Sequence, residues 1–88
     1  MGFLEEVLDF PCSFPLKAVG EGTDDFEDLV LSIVQRHVLT LGEVCVTSRP
    51  SKQGKYLAVT VTFIAESKVQ LEAIYRELGD HERVLMVF

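Results

Sequence analysis

The stretch YLAVTVTFI, at residues 56–64, decides the fold class of this chain. Its residues alternate between two sets and β-branched side chains dominate, which is typical of a strand with one buried face. The set predicted to face a core is Leu57, Val59, Val61 and Phe63. The set predicted to face the other side is Tyr56, Ala58, Thr60, Thr62 and Ile64. The residues just before this strand, 50–54, are turn formers and predict a hairpin loop.

Three further segments predict the rest of a sheet. A lysine or arginine sets the parity of two of them, because a charged side chain belongs on the solvent side. At residues 14–20 the predicted core side is Phe14, Leu16 and Ala18, and the other side is Pro15, Lys17 and Val19. At residues 43–49 one face holds Val44, Val46 and Ser48, and the other holds Cys45, Thr47 and Arg49. At residues 83–88 the predicted core side is Val84, Met86 and Phe88, and the other side is Leu85 and Val87.

Two segments between these strands have the apolar spacing of amphipathic helices. The first is predicted to begin at a cap formed by Thr23 or Asp24 and to end at Gly42. Its apolar stripe is Phe26, Leu29, Val30, Ile33, Val34 and His37.

The second helix is predicted to begin with a capping box made by Ser67 and Gln70 and to end at Gly79. Its stripe is Leu71, Ile74, Tyr75 and Leu78. Apolar residues at helical spacing over residues 3–10, before Pro11, predict a short helical appendage ahead of the first strand.

The element order βαββαβ predicts an α+β ferredoxin-like sandwich that spans residues 1–88 as a single domain. Right-handed crossovers place both helices on one face of a four-stranded antiparallel sheet, with strand order 4-1-3-2. The other face of the sheet is then left without a helix. This fold carries many unrelated functions, so function has to come from individual residues.

Charge and cysteine content exclude several classes of function. The net charge of −6 opposes binding to nucleic acids or to anionic membranes. No apolar run is long enough to span a bilayer, and the first residues have no basic or apolar region typical of a signal peptide. Cys12 and Cys45 are therefore expected to be reduced thiols of a cytoplasmic protein.

Motifs throughout the chain resemble those of the small bacterial YbeD family of uncharacterised proteins. They are Phe10-Pro11 with Phe14, Lys17 and Gly20; Val34-Gln35-Arg36-His37; Arg49-Pro50-Ser51 with Gly54 and Tyr56; and Tyr75, Leu78 and the Val84–Phe88 end. The resemblance implies a cytoplasmic protein with an ACT-like version of the ferredoxin-like fold. Genes of that family often neighbour lipoate-synthesis genes, which hints at a link to lipoate metabolism.

Few residues of the chain favour a catalytic function. Cys12 and Ser13 are the only nucleophile candidates, and they lie in an acidic part of the chain that does not activate a thiol. Cysteines and histidines have no metal-ligand spacing, and His37 fits a half-buried packing role. We therefore predict no enzyme and no cofactor or metal site.

Three surfaces remain as candidate binding sites. The hairpin is a candidate partner contact, because it gathers the scarce basic residues Arg49, Lys52 and Lys55, and the family resemblance adds Ser51, Gly54 and Tyr56. The uncovered sheet face is a candidate interface with a protein partner or a second copy, made of Val19, Ala58, Thr60, Thr62, Ile64, Leu85 and Val87. The alternative for this face is that the N-terminal segment folds across it and covers it. Both candidate surfaces indicate a binding or regulatory module. The alternative is a small-molecule sensor that uses the loop with Gly20, Gly22 and Asp24.

Overall fold

Six elements follow one another in the predicted order βαββαβ. The computed structural model describes residues 9–38 and 44–88. Its elements are β1 (Cys12–Glu21), α1 (Phe26–Gln35), β2 (Cys45–Pro50), β3 (Tyr56–Ala65), α2 (Lys68–Asp80) and β4 (Val84–Val87). The strands form one antiparallel sheet in the order β2-β3-β1-β4, which is the predicted order read from the opposite edge. The predicted fold class and topology are confirmed.

The core lies between the sheet and both helices. In the central pair of strands, Phe14 is directly opposite Phe63 and Leu16 is opposite Val61, and all four side chains are buried. The helix side chains buried against them are Phe26, Val30, Ile33 and Val34 of α1, and Leu71, Ile74 and Leu78 of α2. Strand parity and helix stripes are thus as predicted for these residues. Both helices lie on the same face of the sheet.

The last strand departs from its predicted parity. Val19 is opposite Met86 but Gly20 is opposite Val84, so Leu85 is an extra residue in β4, as in a β-bulge. The bulge reverses the alternation after Val84. Val87 lies opposite the buried Ala18 and packs against the core, whereas Met86 is 52% exposed. The predictions that Met86 and Phe88 face inward and that Val87 faces outward are wrong.

Helix α1 is shorter than predicted at both ends. Its N-cap is Asp25, whose side chain makes no capping bond, so the predicted cap at Thr23 or Asp24 is wrong. The helix ends at Gln35 and not at Gly42, a residue outside the described part of the chain. After Gln35 the chain is drawn toward α2, because the Gln70 side-chain amide donates to the His37 carbonyl at 2.9 Å.

Helix α2 begins as predicted. The Ser67 hydroxyl accepts a hydrogen bond from the Gln70 backbone N–H at 3.0 Å. The Gln70 side chain accepts from the N–H of Glu66, one residue earlier than a standard capping box would place it. The helix continues through Gly79 to Asp80, so Gly79 is an ordinary helical residue and the predicted stop is one residue early.

The predicted N-terminal appendage, residues 3–10, lies mostly outside the described residues. Of its two described residues, neither is helical, and Phe10 packs against the core. Neither α1 nor α2 is long and apolar enough to cross a lipid bilayer.

Candidate functional site

The side of the sheet opposite α1 and α2, here called the open face, is built from rows of side chains that cross all four strands. One row runs Thr47, Thr60, Lys17 and Phe88, with Lys17 and Phe88 joined by backbone hydrogen bonds. The next row runs Arg49, Ala58, Val19 and Met86. Neighbouring strands are about 4.8 Å apart, so each row is roughly 14 Å long. The register thus joins residues from distant parts of the sequence into one surface.

The predicted open-face set is largely reproduced. Val19, Ala58, Thr60, Thr62 and Ile64 share that face, as their register with β1 and β2 requires. Val87 does not belong to it, because the bulge at Leu85 turns Val87 toward the core and brings Met86 and Phe88 outward. Leu85 itself is 52% exposed, beside Glu21 and Arg83 at the end of the sheet.

Apolar side chains cluster at the β4 end of the open face. Phe88 and Met86 are more than half exposed, at 57% and 52%, and Val19 lies beside Met86 on the neighbouring strand. Ile64, which is on β3 and outside this cluster, is 38% exposed. Side chains of this size are normally buried in a core or in an interface. We call Val19, Met86 and Phe88 the apolar half of the open face.

Cationic and hydroxyl groups occupy the rest of the same rows, from Thr47 and Arg49 on β2 to Lys17 on β1, which lies directly beside Phe88. Lys17 and Arg49 flank a depression of about 300 Å³, which Thr47, Ser48, Ala58 and Thr60 also line. Among the described residues, no Asp or Glu lines this depression and no carboxylate forms an ion pair with either cation. We call Lys17, Thr47, Arg49 and Thr60 the cationic half. The open face therefore changes from cationic at β2 to apolar at β4, and the two halves meet on β1 at Lys17 and Val19.

The hairpin between β2 and β3 has a tight, well-bonded turn. The Ser51 hydroxyl accepts from the Tyr56 N–H at 3.0 Å, and Ser51 donates its own N–H to the Tyr56 carbonyl at 2.8 Å. Gly54 has a φ of 72°, a conformation that favours glycine. The Lys55 ammonium lies 5.6 Å from the centre of the Tyr56 ring. Ser51 and Gly54 thus have structural tasks in the turn.

Arg49 and Tyr56 connect the hairpin to the open face. Arg49 is opposite Ala58, and Tyr56 is opposite Glu21 on the same side of the sheet. Two candidate surfaces that the sequence predicted separately are therefore one continuous surface. The basic residues Lys52 and Lys55 lie at its hairpin end.

The loop between β1 and α1, the alternative ligand site, is occupied by neighbouring parts of the chain. Gly20 is buried against the Phe26 ring. The Gly22 N–H donates to the Lys55 carbonyl at 2.9 Å, and a side chain at Gly22 would collide with the Gly54 carbonyl oxygen. Asp24 and Glu27 line a shallow depression of about 280 Å³ next to this contact. The loop serves to brace the hairpin, and its acidic rim repels carboxylate ligands.

An ion pair that the sequence did not reveal joins the start of α1 to the turn before β4. The Arg83 guanidinium donates to both carboxylate oxygens of Asp25, at 3.0 and 2.6 Å, and to the Thr23 hydroxyl oxygen. The bonds from Arg83 to Asp25, followed by one that the Thr23 hydroxyl donates to Asp25 Oδ1, lower the pKa of Asp25 from 3.8 to about 2. Asp25 is thereby drawn away from a capping bond on α1. A pairing between such distant residues has no local sequence signal.

The remaining candidate groups are His37 and the two cysteines. The His37 ring nitrogen Nε2 lies 2.7 Å from Glu77 Oε1, and Arg36 pairs with Glu77 Oε2, so this half-buried histidine links the segment after α1 to α2. Cys12 and Cys45 are both free thiols, as predicted, and they lie on opposite faces of the sheet. Within residues 9–38 and 44–88 no three metal-binding side chains come together.

Comparison with known proteins places the chain among small bacterial proteins. The family model "Protein of unknown function (DUF493)" matches residues 5–88. UPF0250 proteins of Shewanella loihica and Chromobacterium violaceum are 45% and 42% identical to it, over 93% and 94% of this chain and 91% and 93% of their own lengths.

A solved structure shares the fold. The solution structure of protein HP0495 from H. pylori matches with a TM-score of 0.68 at 14% identity, and the match covers 93% of this chain and 86% of that one. At this identity the match supports the fold alone. Together with the near full-length match of the family model, these similarities show that the chain belongs to the DUF493 family, the small, uncharacterised and YbeD-like bacterial family that its motifs resemble.

Proposed function

We propose that this protein is a non-enzymatic docking module that binds a protein partner through the open face. The observation that carries the proposal is the exposure of Phe88 and Met86, at 57% and 52%, on a side of the sheet that neither α1 nor α2 covers. Clustered apolar groups with a polar surround are typical of surfaces that become the centre of an interface.

Charge favours an acidic partner over a second copy. The cationic half carries Lys17 and Arg49 without a neutralising carboxylate in its depression, on a chain with a net charge of −6. A second copy would bring the same cationic half to the contact, and its depression holds no carboxylate that could neutralise Lys17 or Arg49. A partner with an acidic side chain next to an apolar one matches both halves. Lys52 and Lys55 of the hairpin extend the cationic region that steers such a partner.

The test begins with a photo-crosslinking amino acid placed at Ile64 on the open face. A matched position is Glu72, which is exposed on α2. In living bacteria the open-face position should crosslink to a partner that the Glu72 position does not reach. That partner is then purified, and its Kd is measured against wild type, Met86→Asp and Val69→Asp. Val69 is an exposed apolar residue of α2, at 75%, and serves as the control.

Met86→Asp should weaken binding by roughly tenfold or more, because it places a charge in the centre of the contact. Val69→Asp should leave the Kd unchanged. Equal crosslinking from Ile64 and Glu72, or equal Kd values for both variants, would exclude the open face as the contact. A crosslinked homodimer that Met86→Asp dissociates would replace the acidic partner by a second copy. The link to lipoate metabolism stays a prediction, which the identity of the partner tests.

A further inference from the structure

The depression between Lys17 and Arg49 has the composition of an oxyanion site. Its two cations come from different strands, β1 and β2, and the Thr47 and Thr60 hydroxyls come from β2 and β3. Ammonium, guanidinium and hydroxyl groups can all donate hydrogen bonds to a carboxylate or phosphate. The Ala58 methyl leaves room between Arg49 and Val19 in their row.

The surrounding charges leave this site positive. Glu21 is the acidic residue of β1 on the same face, four positions beyond Lys17. At a strand rise of about 3.3 Å per residue it is roughly 13 Å away. Water and salt screen most of an interaction over that distance, because the Debye length is about 8 Å at physiological ionic strength. The two cations therefore act together on a ligand in the depression.

Taking the proposed function as the starting point, we propose that this depression binds a carboxylate side chain of the docked partner. The apolar half begins with Val19 on β1 and continues to Met86 and Phe88 at β4, so it lies about 5–10 Å from β3 at the usual strand spacing. An extended peptide with an acidic residue at one position and an aromatic residue two positions later places these residues about 7 Å apart, which falls within that range. The recognised element is thus an acidic–apolar segment lying across the strands. A carboxylate suits the site because Arg49 and Lys17 can each donate to one of its oxygens.

The proposal is tested with defined peptides and does not need the natural partner. The probes are acetyl-Glu-Gly-Phe-amide, its Gln counterpart, and a counterpart with phosphoserine in place of Glu. Backbone amide shifts of Thr47, Arg49 and Thr60 are followed by NMR during titration of the full chain. The Glu peptide should bind with a Kd on the order of millimolar, and the Gln peptide roughly five- to tenfold more weakly, because it lacks the charge.

Variants locate the site. Lys17→Gln and Arg49→Gln should each weaken the Glu peptide roughly two- to fivefold, as expected for exposed charge pairs, and the double variant should bind it no better than the Gln peptide. Arg76→Gln removes an exposed charge of α2, on the other side of the sheet, and should change the Kd little at 150 mM salt. Amide shifts confined to the rows through Lys17 and Arg49 complete the expected result.

Three outcomes would overturn the proposal. They are equal binding of the Glu and Gln peptides, amide shifts elsewhere on the molecule, and a phosphoserine peptide that binds more than tenfold tighter than the Glu peptide. The last would identify a phosphate site in place of a carboxylate site. If the peptides fail to bind but the open face crosslinks to a partner, only the proposed carboxylate site is rejected. If the peptides bind but no partner is crosslinked, the proposed docking function is rejected.

Discussion

Gly20 of β1 packs closely against Phe26 of α1 and against Arg83, in the turn before β4. A Cβ at this position would overlap the Phe26 ring and approach the Arg83 carbonyl oxygen to 2.7 Å. The carbonyl is backbone and cannot swing aside as the end of a side chain can. Gly20→Ala should therefore lower the free energy of unfolding by about 1–3 kcal/mol, measured by urea denaturation.

The matched control is Gly79→Ala in α2. A Cβ there meets no atom within 4 Å, and alanine is the better helix former. This variant should raise stability by about 0.5–1 kcal/mol. Equal effects of the two substitutions would show that the close approach at Gly20 is not real.

The two thiols should differ in reactivity. Cys45 is exposed on the edge strand β2, whereas Cys12 is partly buried against the core. In the folded protein, Cys45 should react with a thiol reagent many times faster than Cys12, and the rates should become similar in denaturant. Cys45→Ser and Cys12→Ser single variants assign the two phases. Reaction of Cys12 at the faster rate would place it on the surface.

At the scale of elements, the bulge in β4 makes a sharp prediction. Val87→Asp puts a charge against the core and should destabilise the protein by several kcal/mol, on the order of 3 kcal/mol or more. Met86→Asp, at the neighbouring residue, places the same charge on the open face and should cost less than about 1 kcal/mol. Thermal or urea unfolding of both variants measures the difference. If Met86→Asp destabilised the protein more than Val87→Asp, β4 would be a regular strand without a bulge.

The sequence predicted elements well where the alternation was long and uninterrupted. β3 alternates over Tyr56–Ala65, and its parity, together with that of β1, is as predicted. β4 has four residues, all apolar, so its pattern cannot show which side is buried. The bulge depends on how Gly20 fits opposite Val84, a contact between residues distant in sequence.

The candidate site was predictable to a similar degree. Parity alone placed Val19, Thr60 and Ile64 on the open face. It could not bring Arg49 into the same surface as Lys17, because that juxtaposition depends on the register of three strands. The two ends of α1 were missed for a related reason: Asp25 pairs with Arg83, and His37 contacts α2. Tertiary partners there override the local signals of caps and glycines.

At the scale of the whole molecule, the Asp25–Arg83 pair ties the beginning of α1 to the turn before β4. The pKa of Asp25 is lowered from 3.8 to about 2, so the folded state favours the ionised carboxylate. The resulting stabilisation is present above pH 3.8 and is lost as the pH falls through about 2. Asp25→Asn should therefore lower the urea midpoint at pH 6, and the difference from wild type should shrink toward pH 2.

Asp24→Asn provides the control for that experiment. Asp24 is exposed, and no ion pair to it occurs in the described part of the chain. Its substitution should change the midpoint little at either pH. An Asp25→Asn effect that is the same at pH 6 and near pH 2 would show that the pair with Arg83 does not stabilise the fold.

The strand order β2-β3-β1-β4 also affects when the sheet can form while the chain is being synthesised. β1 leaves the ribosome early, but it occupies an inner position whose two neighbours, β3 and β4, are made much later. At the usual ~5–20 residues per second, the ribosome needs roughly 2–9 s to extend the nascent chain from Glu21 to Ala65. During that interval Phe14 and Leu16 have no strand to pair beside, and sheet formation must wait for distant contacts. The apolar residues of β1 are thus synthesised before the strands that cover them, so the sheet cannot form until translation has passed β3.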